Sequence, residues 1–289
     1  LNLTATFLPV GSEAEWTGAG DDALASNPQN WKDGVAPVPG QGVLVTGDKP
    51  MTWDIAYPVG SWTQRDYSGT VTFNTIYEGA KATGFPCLVV GGDVTLESGA
   101  WTHRANGQTK LYRLNVKVGG NMTIGPGATI HADGRGYDKC IAIDGKYPNA
   151  SNVAGSYGGH GGFGGGDMNY TYGSYSAPED PGNGGYWNSY SLPAGGAIRL
   201  EVAGTLTHQG AIRANSTGTQ SFYSGSGGGI YIIAGAMSGN GTIKANAYGN
   251  EKCGGGGRIA VKLTGEDSDF SEYDLVHLAE AIPLKVAAN

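Results

Sequence analysis

The chain has 289 residues, of which 52 are Gly and only 15 % are charged, and its net charge is −7. So little charge excludes an ordinary cytosolic composition, and 39 % hydrophobic residues exclude a disordered chain. The glycines follow no three-residue period, which excludes collagen, and no basic stripe is visible to neutralise phosphates, so nucleic acid is not an expected partner. No apolar run approaches the roughly 20 residues that cross a bilayer. The chain opens on Leu1 without an initiator Met or a leader, as expected of a processed exterior chain or an excised piece.

Residues 1–10 alternate Leu1, Leu3, Ala5 and Phe7 with Asn2, Thr4 and Thr6, a strand pattern that ends at Pro9. An open stack of strands needs its ends covered, and residues 1–40 are the expected N-terminal strand and cap. Gly42-Val43-Leu44-Val45 and Gly69-Thr70-Val71-Thr72-Phe73 read as strands of irregular first coils, in a region that also holds Trp16, Trp31, Trp53 and Trp62.

Internal repetition then decides the fold class. Val90–Ala100 aligns with Val118–Ala128 without gaps at an offset of 28, and Val202–Asn215 aligns with Ile233–Asn246 at an offset of 31. A fifth copy begins at Arg258. Each unit reads as three short strands separated by corners. Ile198, Leu200 and Val202 face inward and Arg199 and Glu201 outward, then come an Ala-Gly corner, Leu206, a Gly turn, Ile212, and a closing Ala214-Asn215. Such coils cannot bury their inner faces alone and must stack. An antiparallel sandwich would not produce similarity at offsets near 30, so the expected fold is all-β, a right-handed parallel β-helix spanning 41–289.

Gly/Ser/Tyr-rich insertions at 134–196, 216–228 and 247–257 follow equivalent Ala-(Asn/Asp) corners and must leave one face of the solenoid. Their aromatics are expected to pack on the scaffold, or to engage sugars or another partner through Tyr157, Tyr170, Tyr172, Tyr175, Tyr186, Trp187, Tyr190, Tyr223 and Tyr248. Residues 266–289, with Leu275, Val276, Leu278, Ala279 and Ile282, form the expected C-terminal cap.

The stretches Gly158-Gly159-His160-Gly161-Gly162, Pro181-Gly182-Asn183-Gly184-Gly185, Gly195-Gly196-Ala197-Ile198 and Gly254-Gly255-Gly256-Gly257-Arg258-Ile259 resemble Gly-rich parallel β-helix modules of large secreted and cell-surface microbial proteins. Trp16-Thr17-Gly18 with Asn30-Trp31 and Pro37-Val38-Pro39-Gly40 is similar to the start of bacterial surface passenger regions. The resemblance implies an extracellular, adhesive or carbohydrate-related role. It specifies a fold better than a chemistry.

Candidate chemistry is sparse. Arg135, Asp138 and Lys139 at the mouth of the large insertion, with His160, are the best lyase-like cluster. Asp133, Asn215 and Asn246 fall at one repeat position and read as a corner ladder, while His103, His131 and His208 fall at loosely related ones, where stacking could bind a metal. Asp138, Asp144, Asp167, Glu179 and Asp180 offer oxygen ligands for Ca²⁺, but their spacing matches no calcium loop, so no cofactor is expected. Cys140 and Cys253 each follow an acid-Lys pair eight positions after an Ala, which makes them a candidate disulfide. Sequons for N-glycosylation begin at Asn2, Asn121, Asn149, Asn169, Asn215 and Asn240. The expected role is an extracellular structural or adhesive protein, partnered by itself in a filament or by a surface polysaccharide, and the alternative is polysaccharide binding or cleavage at the loops.

Overall fold

Period-two alternation of apolar and polar residues builds nearly every element of this chain. A computed structural model describes residues 13–141, 153–161, 170–187, 190–217, 223–248, 253–266 and 268–273. The expectations resting on residues 1–10, on the tail from Asp274, and on Asp144, Asn149, Asp167 and Asn169 lie outside them.

The strands are β1 (Glu13–Trp16), β2 (Gly42–Gly47), β3 (Met51–Trp53), β4 (Trp62–Tyr67), β5 (Thr70–Phe73), β6 (Leu88–Val90), β7 (Val94–His103) and β8 (Leu114–Val118). They continue with β9 (Met122–His131), β10 (Gly185–Trp187), β11 (Tyr190–Leu192), β12 (Ala197–His208), β13 (Ala211–Arg213), β14 (Gly229–Gly239), β15 (Thr242–Lys244) and β16 (Arg258–Leu263). All but β10 and β11, a small antiparallel pair, belong to one 14-stranded sheet whose strand pairings are parallel.

The sheet is curled into three ladders. One runs β6–β8–β12–β14–β16, the second β1–β2–β4–β7–β9–β12–β14, and the third β3–β5–β7–β9–β13–β15. Strands β7, β9, β12 and β14 each serve two ladders and turn the chain from one to the next. The fold is therefore all-β, parallel and solenoid-like, and Glu13–Trp16 is the end strand of the sheet.

The pairing corrects both gapless alignments by one residue. Leu96 faces Ile124, 28 positions on, but beyond a register shift Trp101 faces Ile130, 29 positions on. Likewise Val202 faces Ala234, 32 positions on, and Leu206 faces Met237, 31 positions on. The cause is inward alternation. Ile232 and Ala234 are buried and Ile233 is not, so only this register keeps the apolar row inside, and an irregular corner absorbs the difference.

The core follows from that register. Ile198, Leu200, Leu206, Ile212, Ile230, Ile232 and Ile243 are all 0 % exposed, and Ala214 beside them is the small residue each corner requires. In the first coils indoles replace aliphatics: Trp16, Trp31, Trp53, Trp62 and Trp101 form an edge-to-face chain with centroid separations of 4.8–6.5 Å. Gln64 is fully buried among them because both ends of its amide are used, by Trp101 Nε1 at 3.0 Å and by the Ser98 carbonyl at 2.6 Å.

Corners are held by side-chain ladders. The Asn215 amide donates to Asp133 Oδ1 and that of Asn246 to Asn215 Oδ1, both at 2.8 Å. At another corner the Asn121 amide donates to Asp93 Oδ1 at 2.7 Å, and that of Thr205 to Asn121 Oδ1 at 2.9 Å. Two of the sequon asparagines, Asn121 and Asn215, thus brace corners, and Asn121 and Asn240 are exposed.

The Gly-rich insertions form a backbone-to-backbone layer outside the strands. Gly182 donates to the Gly195 carbonyl, Gly195 to Ser226, Gly227 to Gly255 and Gly255 to Gly155. None of these glycines has a left-handed φ, so they are required for space. A Cβ on Gly228 would sit 1.9 Å from the Gly196 carbonyl oxygen, and one on Gly255 1.9 Å from that of Gly159. Gly256, in the same run, has nothing within 4 Å of its Cβ position. Gly255→Ala is therefore expected to cost about 1–3 kcal/mol, and Gly256→Ala to stay within about 0.5 kcal/mol of the parent. Urea unfolding of the two variants checks this, and equal midpoints would refute the close-packed layer.

Candidate functional site

The structure separates the expected site residues. Asp138 donates its amide to the Gly107 carbonyl at 2.8 Å, and its Oδ1 is buried without a hydrogen-bond partner. Arg135, Asp138 and Lys139 form no ion pairs among the described residues, and His160 is exposed on the Gly layer. The three histidines do not stack: His103 lies opposite Phe73, His131 opposite Arg213 and His208 opposite Ile124. No group of three metal-ligating side chains occurs among the described residues.

His103 and His208 are instead core residues. Burial pushes the imidazole of His103 down to about 3 and that of His208 to about 4, so both stay neutral. His103 Nδ1 lies 2.7 Å from the Arg104 carbonyl. His208 Nδ1 lies 2.8 Å from the Tyr273 hydroxyl, which donates to the Gly241 carbonyl at 2.7 Å and pins the last described segment to the coil.

Cys87, Cys140 and Cys253 are free thiols, which corrects the disulfide expectation. Ile141 bonds to Asn183, Asn183 to Ser226, and Ser224 to Gly254. Three interstrand steps, about 14 Å at the usual spacing, thus separate the cysteines. Burial pushes the Cys140 thiol up to about 12. Their matched sequence positions did not imply adjacent coils, because the large insertion begins beside the first and adds layers of its own.

The tyrosines divide into two groups. Tyr157 is 0 % and Tyr223 6 % exposed, so neither offers a ring face to a sugar, which corrects that assignment. The Tyr172 ring packs 4.9 Å from that of Tyr157, and its hydroxyl donates to the Pro181 carbonyl at 2.6 Å. These rings fasten the insertion to the scaffold. Tyr170, Tyr175 and Tyr248 are 48, 83 and 51 % exposed, and Tyr186 is half-buried. Trp187 and Tyr190 belong to the hairpin of β10 and β11, their side chains lying outside the described set.

The densest charged constellation is one that sequence reasoning missed. Glu179 and Asp180, in the insertion, close over the outward side of β8 and β12. Glu179 pairs with Arg113 and, at 3.0 Å, with Arg199; Arg199 reaches Glu201 at 2.7 Å, and Glu201 reaches Lys117 at 3.0 Å. Asp180 pairs with Lys110. The ammonium of Lys110 and the guanidinium of Arg113 lie 4.4 and 4.9 Å from the centre of the Tyr77 ring, whose hydroxyl donates to the Glu179 carbonyl at 2.6 Å. A shallow depression of about 400 Å³ is lined by Tyr77, Glu78, Lys110, Arg113 and Glu179. Hydrogen bonds from Lys117 and then Arg199 hold the Glu201 carboxyl below its usual range.

A pair of glycosidase carboxyls needs one of the two protonated, whereas Glu179 and Glu201 both face cations. The arrangement locks the insertion onto the sheet. It also places Glu179 and Asp180, read above as oxygen donors for Ca²⁺, against Arg and Lys side chains. The outward alternation of Arg199 and Glu201 was legible, but nothing local ties Glu179 to them.

No protein-family model matches the chain, and no curated protein or solved structure is significantly similar to it.

The two neutral histidines set a pH dependence. Unfolded histidine binds a proton near pH 6.5, while His103 and His208 in the folded chain do so only near pH 3 and 4. The unfolded state then binds more protons below pH 6.5, so stability is lost as pH falls from there. The Glu201 contribution points the same way, but is lost only at lower pH, as its carboxylate protonates in the folded state. The melting temperature is expected to be lower at pH 5 than at pH 7, and a flat profile by calorimetry would contradict the assignment.

Proposed function

We propose that the curled sheet is a right-handed parallel β-helix that serves outside the cell as a structural or adhesive element and assembles end to end. The supporting observation is the state of the last coil. Ile259 of β16 faces Ile230 in register, yet Ile259 is 36 % exposed and Ile230 is 0 % exposed. Val261 and Leu263, in the same inward row, are only partly buried, and among the described residues β16 has a strand partner on one side only. An apolar row beside a parallel edge that no described strand occupies is a template for another strand. The other end of the sheet is different, because the Trp31 indole closes over Trp16 with ring centroids 5.3 Å apart.

The occupant in this reading is the N-terminal segment of a second copy, whose alternating Leu1, Leu3, Ala5 and Phe7 would supply the missing inward row. A head-to-tail contact of this kind does not close on itself and produces filaments. The exposed Tyr170, Tyr175 and Tyr248 support a second reading, sugar engagement by the loops.

Sedimentation and negative-stain microscopy of the full chain and of a chain shortened by residues 1–10 test the assembly. Concentration-dependent filaments from the full chain alone are expected. Equal assembly by both chains, or none by the full chain, would overturn the donor-strand mechanism.

A further inference from the structure

The sequence shows no basic stripe, but the fold assembles one. In the third ladder the register places Thr129, Ile130 and His131 beside Ala211, Ile212 and Arg213, and these beside Thr242, Ile243 and Lys244. The corners beyond continue side by side, since Gly134 donates to the Asn215 carbonyl, Ser216 to that of Asn246, and Asn106 to that of Arg135. Segments 100–106, 129–135, 211–217 and 242–248 thus form one continuous strip along the stack. It carries Arg104, Arg135, Arg213 and Lys244, with His131 among them, and a single carboxylate, Asp133. This net +3 stands on a chain whose total is −7.

The strip is under-compensated. Arg213 and Lys244 lie directly opposite each other in register, an arrangement that repels. Asp133 touches Arg213 at 3.2 Å (Oδ2 to Nε), and its other oxygen is already taken by the Asn215 amide. Arg104, Arg135 and Lys244 have no ion-pair partner among the described residues, and His131 Nδ1 is buried without a hydrogen-bond partner. By contrast, the cations of the Glu179 cluster each have a carboxylate. At the end of the strip stands Tyr248, 51 % exposed, its amide fixed to Ser216 Oγ at 2.6 Å.

Arg213 and Lys244 one interstrand spacing of about 4.8 Å apart, with Arg104 and Arg135 in neighbouring rows and an exposed ring at the end of the strip, match an extended chain of acidic sugars, which offers repeated anions and apolar ring faces for stacking. A long nucleic acid fits less well, because the rest of the chain is strongly acidic and the strip is short. We propose that this strip is a binding surface for an anionic polysaccharide, carboxylated or sulfated, lying along the stack axis. It deepens the adhesive reading by naming what the protein holds. It does not depend on end-to-end assembly, which is scored separately by sedimentation.

The test measures binding of the full chain, by calorimetry at low and at high salt, to polygalacturonate, dextran sulfate, neutral dextran and a DNA duplex. One acidic polysaccharide is expected to bind at low salt and to weaken as salt rises, because exposed charges are screened. Whether it is polygalacturonate or dextran sulfate separates carboxylate from sulfate recognition. The double variant Arg213→Gln/Lys244→Gln is expected to lose roughly tenfold in affinity, Tyr248→Ala to weaken binding with its salt dependence unchanged, and Lys262→Gln, on a different ladder, to bind as the parent does. Melting curves confirm that the variants fold. Binding to neither acidic polysaccharide, tighter binding to neutral dextran or DNA, or full retention by the double variant would overturn the assignment.

Discussion

Everything in this molecule rests on parallel stacking in register. An inward Ile or Leu is buried only because its equivalent in the next coil lies one interstrand spacing away, about 4.8 Å. Ile198 packs on Ile230, Leu200 on Ile232 and Ile212 on Ile243, and none of the six is exposed. The same repeat aligns everything else attached to the coil. Asp133, Asn215 and Asn246 become a corner ladder, and the outward Thr63, Thr95, Thr123, Thr207 and Ser238 become a row. Register also has a cost, since it sets Arg213 against Lys244.

The Gly-rich layer extends this constraint into segments that are not strands. Its chains approach backbone to backbone, and the side chains that enter include Tyr157 and Tyr172 as packing, Asn183, Ser224 and Ser226 as hydrogen-bond bridges, and Glu179 and Asp180 as clamps. The sequence placed these insertions on the decorated face and expected their aromatics to pack on the scaffold or to engage a partner. The described parts of those loops are ordered by backbone hydrogen bonds and by absent Cβ atoms.

What was legible in the sequence is what is local or periodic. Alternation at Ile198, Leu200 and Val202 gave the buried face, and the recurrence near 30 residues gave parallel stacking. The one-residue shifts at the corners were hidden, because Ala-Gly runs align equally well in two registers. The Cys140–Cys253 bridge failed for a related reason: similar sequence context does not count the layers an insertion adds. Likewise, the Tyr list could not be divided into buried and exposed rings, since burial depends on which layer covers each one. The Glu179 clamp and the basic strip were illegible altogether. Each joins residues tens of positions apart, and only the register brings them together.

The central claim is that coils far apart in sequence are stacked in register, and a distance measurement reaches it directly. Thr63 and Ser238 stand in one outward row four coil steps apart, through Thr95, Thr123 and Thr207. Spin labels at these two positions, in a chain whose Cys87, Cys140 and Cys253 are replaced by Ser, report their separation by double electron–electron resonance. The account predicts one narrow distance near the 19 Å that four steps of about 4.8 Å imply, widened only by the label linkers. A broad distribution, or a centre well beyond 30 Å, would contradict in-register stacking.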